Sequence, residues 1–170
     1  MVWEWDPGGD ASVGDLWLLM KELSNCGEVV YSKWYQGRAT FFSSELFTAM
    51  LCLKGDLAND LSFEAKEIFE VLESDSPLST KEIKKLTDLR GKDNEPTYSR
   101  AMKSLFLKLL IVAYGEVDDG AFPSLAVGST QLLFEDLWLA AKEMKAPKAR
   151  KIVDLYMPAG SLVRKFFDKN

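Results

Sequence analysis

Between Lys81 and Lys108 the sequence sets Lys81, Lys84, Lys85, Arg90, Lys92, Arg100, Lys103 and Lys108 against Glu82, Asp88, Asp93 and Glu95. The whole chain carries a formal net charge of −5 at pH 7, so this stretch is locally positive in an anionic molecule. Thr97, Ser99, Arg100 and Lys103 fall together near the start of one helical run. Small hydroxyls and cations in that arrangement are the side chains that reach base edges and phosphates in a nucleic-acid groove. Lys81, Lys84, Lys85 and Lys92 precede them and suit phosphate contact. The same residues also fit a solvated helix face, where clustered cations are common.

Catalytic chemistry has little to build on. The sequence holds no histidine, which removes histidine-based triads, histidine-ligated zinc and imidazole acid-base work. Glu116, Asp118 and Asp119 form the one tight acidic cluster that contains a turn, but they lack the ligand spacing of a calcium loop and read as a solvated tip. There is neither a Walker pattern nor a GxGxxG run, and Gly8-Gly9 alone carries no meaning. Glu70 and Glu73 sit among polar residues, as charges on a wet helix face do. No catalytic residue, metal or cofactor is expected. Cys26 and Cys52 stand apart without a CxxC pattern, which fits reduced, buried thiols in a cytoplasmic protein. The start Met-Val-Trp-Glu-Trp-Asp lacks a basic and an apolar signal region, and no apolar run reaches membrane-span length, so no membrane contact is expected.

With 47% apolar and 12% aromatic residues in 170, the chain has the material for a sizeable core to position these groups. Three segments are expected: a helix, β-hairpin and helix over 1–57, a winged helix-turn-helix over 62–127, and a helical extension over 129–170, with the first either a small subdomain of its own or part of one compact domain. In the first, a helix runs from about Ser12 to Asn25, two extended runs meet at Gln36-Gly37, and Ser43 or Ser44 caps a helix that Gly55 ends. The central segment begins with a helix whose Phe63, Ile68, Phe69 and Leu72 are expected on one buried stripe. Pro77-Leu78-Ser79-Thr80 supplies a breaker and a cap for a second helix, Lys81 to Leu89, with Ile83, Leu86 and Leu89 turned inward. Pro96 starts a third helix, to about Leu110, with Tyr98, Ala101, Met102, Leu105, Phe106 and Leu109 at core spacing. Two strands follow, around Leu110–Tyr114 and Ala121–Val127, and their acidic tip would be repelled by phosphates. Gln131 to Met144 reads as one helix, Pro147 starts another, and the basic residues Lys142, Lys145, Lys148, Arg150 and Lys151 fall in that region.

From Phe63 to Val127, with Pro77-Leu78-Ser79-Thr80-Lys81-Glu82-Ile83 leading the second helix and Leu109-Leu110-Ile111-Val112-Ala113-Tyr114-Gly115 leaving the third, the sequence resembles winged-helix DNA-binding domains. The whole chain resembles the small proteins related to the AlkZ-like winged-helix DNA glycosylases, a likeness to which Arg38-Ala39-Thr40-Phe41-Phe42-Ser43-Ser44-Glu45-Leu46 adds. That family excises alkylated or crosslinked bases with a Gln-apolar-Gln or Gln-apolar-Asp motif. Here Gln36 is followed by Gly37-Arg38 and Gln131 by Leu132-Leu133, so the resemblance implies the fold and a DNA-related setting without the catalytic motif.

The expected fold is mainly α (α+β), a winged helix-turn-helix with an N-terminal helix-hairpin-helix and C-terminal helices. The expected function is non-catalytic DNA binding, as a transcriptional regulator or an accessory to repair. Two alternatives stay open: a protein interaction module, as a homodimer or with another partner, and a divergent glycosylase.

Overall fold

Val29–Ser32 and Thr40–Ser43, rich in β-branched and aromatic residues, form strands β1 and β2, paired antiparallel from Val29↔Ser43 to Ser32↔Thr40. These belong to a computed structural model that describes residues 19, 22–23, 29–54, 60–117 and 124–169. Gln36 at φ 54° and Gly37 at φ 73° take left-handed conformations, and the Arg38 N–H donates to Tyr35 O at 3.0 Å. This is the two-residue turn expected at Gln36-Gly37. The strand ladder stops short of it, because Trp34 leaves the strand and is fully buried. Its ring meets Phe42 edge-on at 5.7 Å and Phe166 at 4.9 Å. Burial of one such ring contributes about 1.5–3 kcal/mol, enough to fix how the hairpin sits.

Helix α1 (Ser44–Lys54) begins where Ser43 Oγ accepts the Leu46 N–H at 3.3 Å. Helix α2 (Phe63–Ser74) starts in the same way, with Ser62 Oγ accepting from Ala65 N–H. Its buried face is Ala65, Ile68 and Leu72. Phe63 was expected on that stripe but is 73% exposed. The step from Phe63 to Ile68 is five residues, which turns a helix about 140° past a full circle and places the two side chains on opposite faces.

A short strand β3 (Leu78–Ser79) leads into α3 (Thr80–Leu86). Ser79 and Glu82 close a reciprocal capping box: Ser79 Oγ accepts the Glu82 N–H at 3.2 Å, and Glu82 Oε2 accepts the Ser79 N–H at 2.9 Å. The helix ends earlier than expected. Asp88 at φ 53° reverses the chain, the Thr87 hydroxyl donates to Ile83 O at 2.8 Å, and Leu89 enters the core from the loop. Leu86, expected inward, is therefore displaced to the surface at 58% exposure.

Helix α4 (Glu95–Leu107) has Pro96 in its first turn and buries Tyr98, Ala101, Met102, Leu105 and Phe106. It stops three residues before the expected end. The Leu110 N–H donates to Leu105 O and the Leu109 N–H to Phe106 O, each at 3.1 Å, in the pattern of a Schellman stop. The left-handed position is filled by Leu109, at φ 58° and fully buried, instead of the usual glycine.

Strands β4 (Ile111–Val117) and β5 (Ser124–Ser129) pair antiparallel, with a bulge between Ala113 and Glu116 where Gly115 takes φ 75°. Tyr31↔Ala113 joins β1 to β4 and Leu78↔Val127 joins β3 to β5. The result is one five-stranded antiparallel sheet in the order β2-β1-β4-β5-β3. Gly128 lies on β5 where a Cβ would come within 2.3 Å of Leu133 Cδ1.

The expected helix from Gln131 to Met144 is two, α5 (Thr130–Leu133) and α6 (Glu135–Glu143), broken at Phe134 with φ −134° and ψ 52°. Helices α7 (Ala146–Tyr156) and α8 (Leu162–Lys169) follow, and α1 packs against α6 and α7. Arg164 ties the last two helices, with Nη1 2.5 Å from Asp154 Oδ1 and Nε 2.9 Å from Asp168 Oδ2. Cys52 is half-buried and its thiol donates to Met144 O at 3.1 Å.

Trp3, Trp5, Asp6–Asp10, Cys26, Gly55, the acidic tip expected at Asp118-Asp119 and the start expected for the second strand at Ala121 lie outside the described residues. Of the helix expected from Ser12 to Asn25, Leu19, Glu22 and Leu23 are helical, and Leu19 is half exposed. Among the described residues no helix is long and apolar enough to cross a membrane, and no cluster of acidic or thiol side chains could hold a metal ion.

Candidate functional site

The capping box at Ser79 fixes the direction of α3, and the helical spacing of Lys81, Lys84 and Lys85 puts all three on one side of it. After the reversal at Asp88, the buried Leu89 anchors the connection to α4 from inside. Asn94 anchors it from outside, its side-chain amide donating to Arg90 O at 3.0 Å. Gly91, at φ 95°, makes the bend between Arg90 and Lys92, a conformation that suits glycine alone among common residues.

These elements enclose an open groove of about 780 Å³ lined by Lys81, Lys84, Lys85, Arg90, Gly91, Lys92 and Glu95. Five cations face one carboxylate there. That carboxylate is committed: Lys84 Nζ lies 2.7 Å from Glu95 Oε2 and 4.6 Å from the centre of the Tyr98 ring. Lys85, Arg90 and Lys92 are exposed, and their side chains are in no ion pair among the described residues. An anion entering the groove would meet charge that no protein carboxylate has neutralised.

Tyr98 forms the wall behind Lys84. Burial, with Glu95 adding to it, pushes its phenol well above the ordinary tyrosine range, so the ring stays neutral under any physiological condition. Its hydroxyl is buried without a hydrogen-bond partner.

The second group of expected residues lies on α4 itself. Ser99, Arg100 and Lys103 are exposed on the side opposite the Tyr98–Ala101–Met102–Leu105 stripe, and Thr97 is half-buried at its flank. Arg100 Nη2 makes a long contact, 3.4 Å, to Thr97 Oγ1. The structure thus brings Lys81, Lys84, Lys85 and Lys92 into one groove and sets Thr97, Ser99, Arg100 and Lys103 on the adjoining helix.

A family model described as AlkZ related matches residues 5–157, nearly the whole chain. The chain belongs to the AlkZ-related family. No curated protein and no solved structure matches it.

Two features of this AlkZ-related groove escaped sequence reasoning. Arg90 counted only towards local charge, although its place beside the Gly91 bend puts it among the lining side chains. The Lys84–Glu95 pair, eleven residues apart, depends on how the α3–α4 reversal folds back, which no local spacing encodes. Of the aromatics near the hairpin turn, Trp34 is wholly buried, and Tyr35 is half-buried with its ring against Phe166 at 5.1 Å.

Proposed function

We propose that this AlkZ-related protein binds duplex DNA without base-excision chemistry of its own, as an accessory to repair or a regulator. The observation that carries the reading is the cationic groove of Lys81, Lys85, Arg90 and Lys92 beside the exposed Ser99–Arg100–Lys103 face of α4. On this reading residues 62–127 act as a winged helix-turn-helix. Support comes from the element order α2-β3-α3-α4-β4-β5, with β3 against β5 and β5 against β4. The segments 1–57 and 129–170 then serve as flanking supports.

In this mechanism α4 is the helix presented to the major groove. Arg100 has the donor geometry to read guanine, Ser99 and Thr97 can reach base edges or phosphate oxygens, and Lys103 holds the backbone. Lys85, Arg90 and Lys92 neutralise phosphates and release counterions, which makes the affinity salt-sensitive. The Lys84–Glu95 pair keeps α3 and α4 at a fixed separation while Lys85, Arg90 and Lys92 stay available.

Fluorescence anisotropy with a labelled generic duplex at low salt tests this. The wild type should bind, and Arg100→Ala with Lys103→Ala should weaken binding about tenfold or more. An unchanged affinity removes α4 from the contact surface.

Family membership favours one second reading, a divergent glycosylase. An alkylated duplex incubated with the protein and then cleaved at abasic sites separates the two. Strand breaks dependent on the protein would establish excision, and intact strands with retained binding agree with the non-catalytic reading.

A further inference from the structure

Phe63 and Leu86, the two large apolar residues left outside the core of the central helices, both lie along one surface. Phe63, Glu67, Glu70 and Ser74 recur at helical spacing along the outer side of α2. Glu67, Glu70, Val71, Ser74, Asp75, Leu86 and Thr87 line an open groove of about 470 Å³ between α2 and the end of α3. Its carboxylates, Glu67, Glu70 and Asp75, are in no ion pair among the described residues. This face is acidic and carries exposed apolar side chains. It lies across α3 from the cationic groove, and phosphates would be repelled from it.

A surface of opposite character stands on the C-terminal helices. On α7, Lys148, Lys151 and Leu155 recur at i, i+3 and i+7 and form an exposed strip beside the buried Ala149, Ile152 and Val153. Leu155 is 75% exposed, and Leu162, at the start of α8, is 74% exposed. Lys148 and Lys151 pair with no carboxylate among the described residues, while the neighbouring Asp154 is held by Arg164. Each surface offers what the other lacks: carboxylates beside a leucine and a phenylalanine on α2 and α3, lysines beside a leucine on α7.

The two helices pack on different elements, α7 against α1 and α2 against α4, and Lys148, Lys151 and Leu155 are left exposed. We propose that the occupant of the α2–α3 groove is a second copy of this chain, docked through the Lys148–Lys151–Leu155 face of α7. The contact is head-to-tail: each copy gives a groove to one neighbour and a helix to another. The cationic groove stays open on every copy. The proposal does not depend on the DNA reading, because neither of its surfaces includes a residue of the cationic groove or of α4.

Sedimentation equilibrium of the full chain, from micromolar to millimolar concentration at low and high salt, tests it. The expected result is a mass that climbs with concentration and falls back as salt screens the carboxylate–lysine pairs. Glu67→Lys with Glu70→Lys, and separately Lys148→Glu with Lys151→Glu, should each lower the association constant about tenfold or more. An equimolar mixture of the two variants restores opposite charges across the contact and should regain the association. That recovery also rules out misfolding, since misfolded chains would not recover. A wild type that stays monomeric at millimolar concentration and low salt, an association that neither reversal weakens, or a mixture that fails to associate would each overturn the proposal.

Discussion

Lys84 and Glu95 close an ion pair at 2.7 Å across the reversal that separates α3 from α4, with the Lys84 ammonium 4.6 Å from the centre of the Tyr98 ring. This cation holds the groove together, whereas Lys85 next to it points to solvent.

The two lysines should therefore separate in mutagenesis. Lys84→Ala removes a half-exposed ion pair and a cation–π contact and should cost about 1 kcal/mol in urea unfolding. Lys85→Ala should stay within about 0.5 kcal/mol of wild type. Duplex binding should show the reverse ranking, with Lys85→Ala the more damaging.

Tyr98 provides a pH signature. Its folded-state phenol titrates above its unfolded value, so the native state holds the proton more tightly. The stability tied to this group is complete below about pH 10 and declines above it by up to about 1.4 kcal/mol per pH unit, until the folded phenol itself ionises. Tyr98→Phe should flatten that alkaline limb. It also removes a buried hydroxyl that has no partner, so at neutral pH the variant should match or exceed the wild type by up to about 1 kcal/mol. Chemical denaturation at pH 7 and at pH 10.5 measures both effects.

Leu109 carries a left-handed backbone at φ 58° together with a fully buried side chain. Leu109→Ala and Leu109→Gly both empty most of the leucine's space, glycine by one methyl more, and should both destabilise by about 2–5 kcal/mol. Glycine alone relieves the backbone, so Leu109→Gly should be the more stable of the two by about 1 kcal/mol. Thermal melts of the pair decide it.

The core stripe of α4 was legible because Tyr98, Ala101, Met102, Leu105 and Phe106 repeat at helical period, and burial follows that period whatever packs against it. Its end was not legible, because a leucine occupies the left-handed stop where sequence reasoning looks for glycine or asparagine. The stretch from Pro77 to Thr80 announces α3 from sequence, but the fate of Leu86 depends on Asp88 turning the chain so that Leu89 fills the core in its place. The lysines of the site were visible as charge. The separation of Lys85 and Lys92 from the structural Lys84–Glu95 pair came from a tertiary contact between residues 84 and 95.

The salt dependence of duplex affinity tests the central claim most directly. A plot of log K against log salt should fall with a slope of about −4 for the wild type, and Lys85→Ala with Arg90→Ala and Lys92→Ala should make it shallower by about 3. Absence of binding at 50 mM salt, or a slope that the triple substitution leaves unchanged, would contradict the assignment of the groove to nucleic acid.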